Sequence, residues 1–354
     1  MDDLHVITPS PQAWDAFVAA HASAHILQTP AWGTLKAHFG WQVDRVALAN
    51  SRGELLGGAQ ILYRPLPLRL GTMAYIPKGP LAPMDWWTKQ APDAMHMLWQ
   101  AIHRAARQRN ARWLKVEAPF EESASLADAL TQAGFRPGLQ NIQPVRTIML
   151  DIADDEEAIL RRMKQKTRYN IRLSARKGVT VRQGTRDDLL AFIAMTRITA
   201  ERDDFGVHAP AYYEQAYDLF APAGRAALLI ASYEGRDLAG VMVFALGRTA
   251  WYFYGASTNE ERQRMPTYAV QWAAIQWAKT QGCTTYDLWG VPDADAETLE
   301  AQFTERHDGL WGVYRFKRGF GGRLVRQMPA WDCVYSPPIY QLYALYLKYA
   351  AGAI

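Results

Sequence analysis

The chain has 354 residues, 49% of them hydrophobic and 21% charged, with a net charge of +4. That length exceeds one ordinary hydrophobic core and sets two domains as the expectation, while two cysteines, Cys283 and Cys333, exclude a disulfide framework and a cysteine-rich metal site. The opening MDDLHVITPSPQAW carries neither a basic nor an apolar leader, and no apolar run nears the length of a membrane span, so a cytoplasmic protein is expected.

Behind Ser10-Pro11, an N-cap and first-turn pair, Trp14, Phe17 and Val18 recur at helical spacing. A second helix begins at Pro30, with Trp32, Leu35 and Phe39 on one side. Residues 43–48 alternate as a strand, 51–54 form a turn and 55–65 return, which makes a β-hairpin. Strands at 73–77, 112–117 and 145–151, with helices at 94–108 and 123–133, complete the first half. The second half repeats that order. It has a helix over 156–177, a strand at 179–181, helices over 186–202 and 212–220, and a hairpin from 226–233 and 238–247. A strand at 251–254, a helix at 268–281 and a strand at 285–288 follow, and then a polar insert at 293–308. Hairpins mixed with crossovers predict an α/β fold with mixed sheets. The order resembles two tandem acyltransferase domains of the GNAT type.

The run WGVYRFKRGFGG at 311–322 combines four aromatics, four glycines and three cations. It is expected as a strand with Tyr314 and Phe316 on one face and Arg315 and Lys317 on the other, entering a glycine turn. A cation at a strand end beside open backbone suits an anion or a developing oxyanion. Residues 161–177, RRMKQKTRYNIRLSARK, hold eight cations and no acid, spread around the whole of one expected helix. Such a surface suits a polyphosphate backbone or anionic lipid, with a solvated helix face as the plain alternative. At the junction where a GNAT enzyme cradles a pyrophosphate, this chain reads GASTNEERQRMP, without paired glycines and with two acids, which argues against acetyl-CoA. Eight scattered histidines form no metal-ligand or triad constellation.

Six stretches, in order, make the chain resemble the FemABX family of peptidoglycan bridge-forming aminoacyltransferases, in a compact FemX-like form without a helical arm. They are QTPAWGTLK with Gly40-Trp41, YIPKGP at 75–80, KTRYNIR at 166–172, YGAS at 254–257, RMPTY at 264–268 with Gln271-Trp272, and YRFKRGFGG at 314–322. The resemblance implies two GNAT-like domains, 1–150 plus 321–354 for the precursor and 151–320 for catalysis and the aminoacyl-tRNA, with the C-terminal segment returning to the first. It implies transfer of an amino acid from aminoacyl-tRNA to the stem-peptide amine of UDP-MurNAc-pentapeptide or lipid II, with neither metal nor cofactor. Peripheral contact with the inner face of the cytoplasmic membrane and a monomeric state go with it. By motif, Lys317 takes the place of the lysine that stabilises the oxyanion, beside Phe316. Lys36, Glu117, His208, Tyr212, Tyr254, Arg264 and Tyr268 fall at substrate-binding positions. Glu117 stands where an aspartate is common, and His208 where an arginine is. Arg161, Arg162, Lys164, Lys166, Arg168 and Arg172 are the expected tRNA contacts. Two rivals stand beside this reading: the same fold aminoacylating a metabolite or a protein N-terminus, and a non-catalytic binder of nucleic acid or membrane.

Overall fold

The computed structural model describes residues 4–88, 92–203, 206–306 and 308–351. His307, within the expected insert, lies outside them. The chain divides into two compact units, Met1–Val145 with Gln327–Ile354, and Arg146–Arg326. The first unit takes strands His5–Ile7 (β1), Gln42–Ala49 (β2), Leu55–Pro65 (β3), Thr72–Pro77 (β4), Ala111–Glu117 (β5) and Arg136–Pro137 (β6). The second takes Arg146–Asp151 (β7), Thr180–Gln183 (β8), Ala226–Tyr233 (β9), Arg236–Leu246 (β10), Thr249–Ser257 (β11), Thr285–Gly290 (β12) and Arg323–Arg326 (β13). The chain then returns to the first unit for Trp331–Val334 (β14).

Each unit holds a seven-stranded sheet, ordered β1-β2-β3-β4-β5-β14-β6 in one and β13-β7-β12-β11-β10-β9-β8 in the other. All described pairings are antiparallel except β4 with β5 and β11 with β12. Those two parallel pairs are the ones joined by long crossovers, which carry helices Pro92–Gln108 and Pro266–Thr280. The fold is therefore mixed α/β, with the same strand logic used twice.

Local chemistry explains the motif residues of the first unit. Thr29 caps helix Pro30–His38 by accepting from the Trp32 N–H at 3.3 Å. Gln28, wholly buried, donates to the Pro77 carbonyl at 2.6 Å and accepts from the Gln60 N–H at 2.8 Å, so one amide ties the helix entry to β3 and β4. β14 is locked between β5 and β6 by a buried charge network. Lys115 lies 2.9 Å from the Asp332 carboxylate, both side chains fully buried, and Tyr340 donates to that carboxylate at 2.6 Å.

Three sequence expectations change. Residues Trp311–Lys317 form a helix, followed by a 3-10 turn at Arg318–Phe320, and not a strand. The buried residues Trp311, Tyr314 and Lys317 recur every third position, a helical face that the short alternation at 314–317 obscured. Helix 156–177 is broken into Glu156–Arg162 and Gln165–Arg176, because Met163 and Lys164 are extended and the Lys164 N–H donates to the Gly319 carbonyl at 2.9 Å. The turn at Gly321 and Gly322, both at positive φ, leads into β13 beside β7, so the passage to the first unit comes after Arg326.

Candidate active site

Lys317 is set by its helix into the core of the second unit, where it is 5% exposed. Its ammonium donates to the Gly290 carbonyl at 2.8 Å and lies 5.4 Å from the centre of the Tyr252 ring. The carbonyl is aimed by a turn in which Trp289 adopts φ 62° while its N–H donates to Asp287 at 2.7 Å. Asp287 also accepts from the Thr147 hydroxyl. Burial pulls the Lys317 pKa down to about 7, with Asp287 acting in the opposite direction. The group is thus poised between charged and neutral at neutral pH.

Beside it opens a cavity of about 940 Å³, walled by Tyr252, Tyr268 and Phe316, with Gln271 lining it and Arg262 and Arg315 exposed among its lining residues. Tyr268 meets Phe316 edge to face at 5.1 Å and stacks on Phe320 at 5.9 Å. Gly255 is required here, since a Cβ would overlap the Tyr252 hydroxyl. Of the two features read against acetyl-CoA at this junction, the missing glycine pair stands and the acids lose weight. Glu260 pairs with Arg236, and Glu261 with Arg236 and Arg264, which neutralises the two acids and leaves cations lining the cavity. Arg264 itself donates to the Lys177 carbonyl at 2.7 Å and lies 3.4 Å over the Tyr233 ring, so it braces the fold beside the cavity.

Tyr254 faces away from this cavity. Met242 opposes Tyr254 while Val243 opposes Tyr252, making Phe253 the extra residue of a β-bulge that turns the two tyrosines to opposite faces of the sheet. On the second face His208 stacks on Tyr212 at 4.0 Å and meets Tyr254 at 5.7 Å. Tyr212 and Tyr254 share a hydrogen bond, and burial pushes the Tyr212 pKa up to about 12. The three positions singled out from the sequence therefore form one cluster, with His208 exposed.

In the first unit, Lys36 lies 5.2 Å over the Trp32 ring, and its pKa falls to about 8 through burial and then repulsion from Arg64. An anion placed against both cations would relieve that repulsion. Glu117 is 2% exposed and saturated with donors: the Tyr75 hydroxyl, the Ile142 N–H at 2.6 Å and the Gln143 N–H at 3.0 Å. It fastens the 142–143 backbone to β5.

The six expected tRNA contacts separate by environment. Helix Gln165–Arg176 buries Thr167, Asn170, Ile171 and Ser174, so the cations do not surround it. Arg162 pairs with Asp154, Lys164 with Glu300, and Arg168 donates to the Arg161 and Met163 carbonyls across the helix break. Arg161, Lys166 and Arg172 are exposed and make no ion pair among the described residues. Sequence reasoning missed Tyr252, Gln271, Asp287, Arg262 and Arg315 as site residues. The glycine at 255 and the glutamine inside a helical aromatic run were the available signals.

A family model described as the FemAB family matches residues 10–237 and 226–348. The lipid II:glycine glycyltransferase of Staphylococcus saprophyticus subsp. saprophyticus is 27% identical over 405 aligned residues, covering 94% of this chain and 93% of that protein. The lipid II:glycine glycyltransferase of Staphylococcus aureus (strain USA300) is 26% identical over 421, covering 97% and 95%. Among solved structures, FemX superposes with a TM-score of 0.85 at 23% identity, over 96% of this chain and 100% of that one. A tandem GNAT protein from the clavulanic acid biosynthesis pathway gives 0.53 at 12% identity, over 95% and 99%. Both likenesses concern the fold.

Proposed function

Because this chain belongs to the FemAB family, we propose that it moves an amino acid from aminoacyl-tRNA to the stem-peptide amine of a peptidoglycan precursor. It is a transferase of the acyltransferase type, and the relatives named for lipid II support a lipid-linked precursor. With such an acceptor the protein works at the inner face of the cytoplasmic membrane. No helix among the described residues is long and apolar enough to cross one; the contact we propose is peripheral.

The observation that carries this reading is a buried lysine with a lowered pKa beside an aromatic cavity edged with cations. When a neutral amine attacks the ester carbonyl, negative charge develops on the carbonyl oxygen. The Lys317 ammonium, fixed by Gly290, can stabilise that charge at little reorganisation cost, an effect worth about 3 kcal/mol for one well-placed donor. Arg262 and Arg315 suit the phosphates of a nucleotide 3′ end, and Tyr268 and Phe316 offer faces for its base. In the first unit Lys36 and Arg64 suit phosphates, and in the second the His208, Tyr212 and Tyr254 cluster suits polar groups of a substrate.

Incubation with charged tRNA and either UDP-MurNAc-pentapeptide or lipid II is expected to yield a precursor heavier by one aminoacyl group. Lys317→Met should cut kcat by about 100-fold or more while leaving tRNA affinity near wild type. Acyl transfer from acetyl-CoA, with none from any charged tRNA, would overturn the donor assignment. Transfer to an unrelated amine alone would overturn the acceptor.

A further inference from the structure

Gln271 follows the RMPTY stretch and has no part in the chemistry proposed for Lys317. It sits in helix Pro266–Thr280, is 1% exposed and lines the 940 Å³ cavity. One end of its amide is taken, since Nε2 donates to the Tyr286 hydroxyl at 2.6 Å. The other end, Oε1, is buried and has no hydrogen-bond partner among the described residues. A buried carbonyl oxygen without a donor is destabilising and calls for a partner that the folded chain does not itself supply. Tyr252, whose ring centre lies 5.4 Å from the Lys317 ammonium, lines the same cavity as Gln271, so the amide and the proposed oxyanion donor border one cavity.

We propose that Gln271 Oε1 accepts a hydrogen bond from the free α-amine of the donor amino acid. The inference rests on the reading of this cavity as the aminoacyl site. An aminoacyl ester carries its amine one carbon from the carbonyl that is attacked. A donor held with its carbonyl oxygen toward Lys317 therefore needs an acceptor nearby for the amine N–H. Cationic or neutral, that amine offers N–H groups, and Gln271 presents the buried acceptor without charge. The site would then distinguish an aminoacyl ester from a simple acyl ester by whether its own buried oxygen is satisfied.

The test compares alanyl and propionyl esters on the same tRNA 3′ end, which differ only by the amine, and reads the ratio of their kcat/KM values. Gln271→Met, which keeps length but removes the acceptor, is expected to lower that ratio about tenfold, mostly through KM for the alanyl donor. Gln271→Glu, which restores an acceptor in the same shape, should hold the ratio at or above the wild-type value. A packing role alone would lower both donors together and leave the ratio where it was. If both variants keep the wild-type ratio, or if the glutamate variant behaves like the methionine one, the assignment is overturned. A wild-type enzyme inactive with every aminoacyl donor would instead refute the transferase reading on which it stands.

Discussion

At the scale of single residues, Lys317 ties activity to stability through one buried charge. Its pKa is about 7 in the folded chain against an ordinary value of 10.5. Between those two values the unfolded chain holds a proton that the folded chain lacks, so this group's contribution to stability rises with pH across the window. The penalty of burying the ammonium is fully present below the lower value and gone above the upper one. Lys317→Met is accordingly expected to raise the melting temperature over wild type near pH 6, with the gain shrinking towards pH 10. An equal gain at both ends would show that charge burial is not the cause. On the mechanism proposed above, loss of the Lys317 proton is expected to set the alkaline limb of turnover, because only the ammonium offers a positive charge to the oxyanion, and deprotonation of the acceptor amine the acid limb.

At the scale of elements, small irregularities place the site. The bulge at Phe253 puts Tyr252 beside Lys317 and sends Tyr254 to the His208 and Tyr212 cluster, so two neighbouring tyrosines serve different faces. The break at Met163 and Lys164 ties the basic segment to Gly319 and divides its cations into those that hold the fold and those that face solvent. Each tRNA phosphate left without its neutralising cation should remove about 0.7–0.9 from the logarithmic salt slope of binding. Reversing Lys166 and Arg172 together to glutamate is therefore expected to weaken tRNA binding and flatten that slope by up to about twice this amount, with little change in melting temperature. An unaltered slope would return this helix to a solvated face. Much of this scale was legible in advance. The hairpins at 42–65 and 226–246 and the two crossover helices follow from periodicity and turn residues. Helix Trp311–Lys317 was not, since over seven residues a period of two and a period of three compete, and only burial of Trp311, Tyr314 and Lys317 on one side decides.

At the scale of the whole molecule, the chain leaves its first unit after Val145 and re-enters it at Gln327. β14 then fills an interior place in the first sheet, between β5 and β6, and brings Met328 and Trp331 into the core. A chain ending at Arg326 would strip β5 of a partner and leave Lys115 buried without its carboxylate, a loss of about 3–5 kcal/mol from the ion pair alone. Such a truncation is expected to abolish the cooperative unfolding of the first unit, seen as a missing calorimetric transition and red-shifted tryptophan emission. A native-like melt would deny that the C-terminal strand is integral. By itself the sequence determined most of the element order, the doubled mixed α/β architecture and the family, because periodicity, caps, turns and motif spacing are local properties of the chain. Tertiary structure alone decided that Lys317 is buried against Gly290 and near Asp287, that Arg236 reaches Glu260 and Glu261, and that Gln271 Oε1 is buried without a partner among the described residues. Burial and charge pairing are set by residues distant in the chain, and no local pattern carries them.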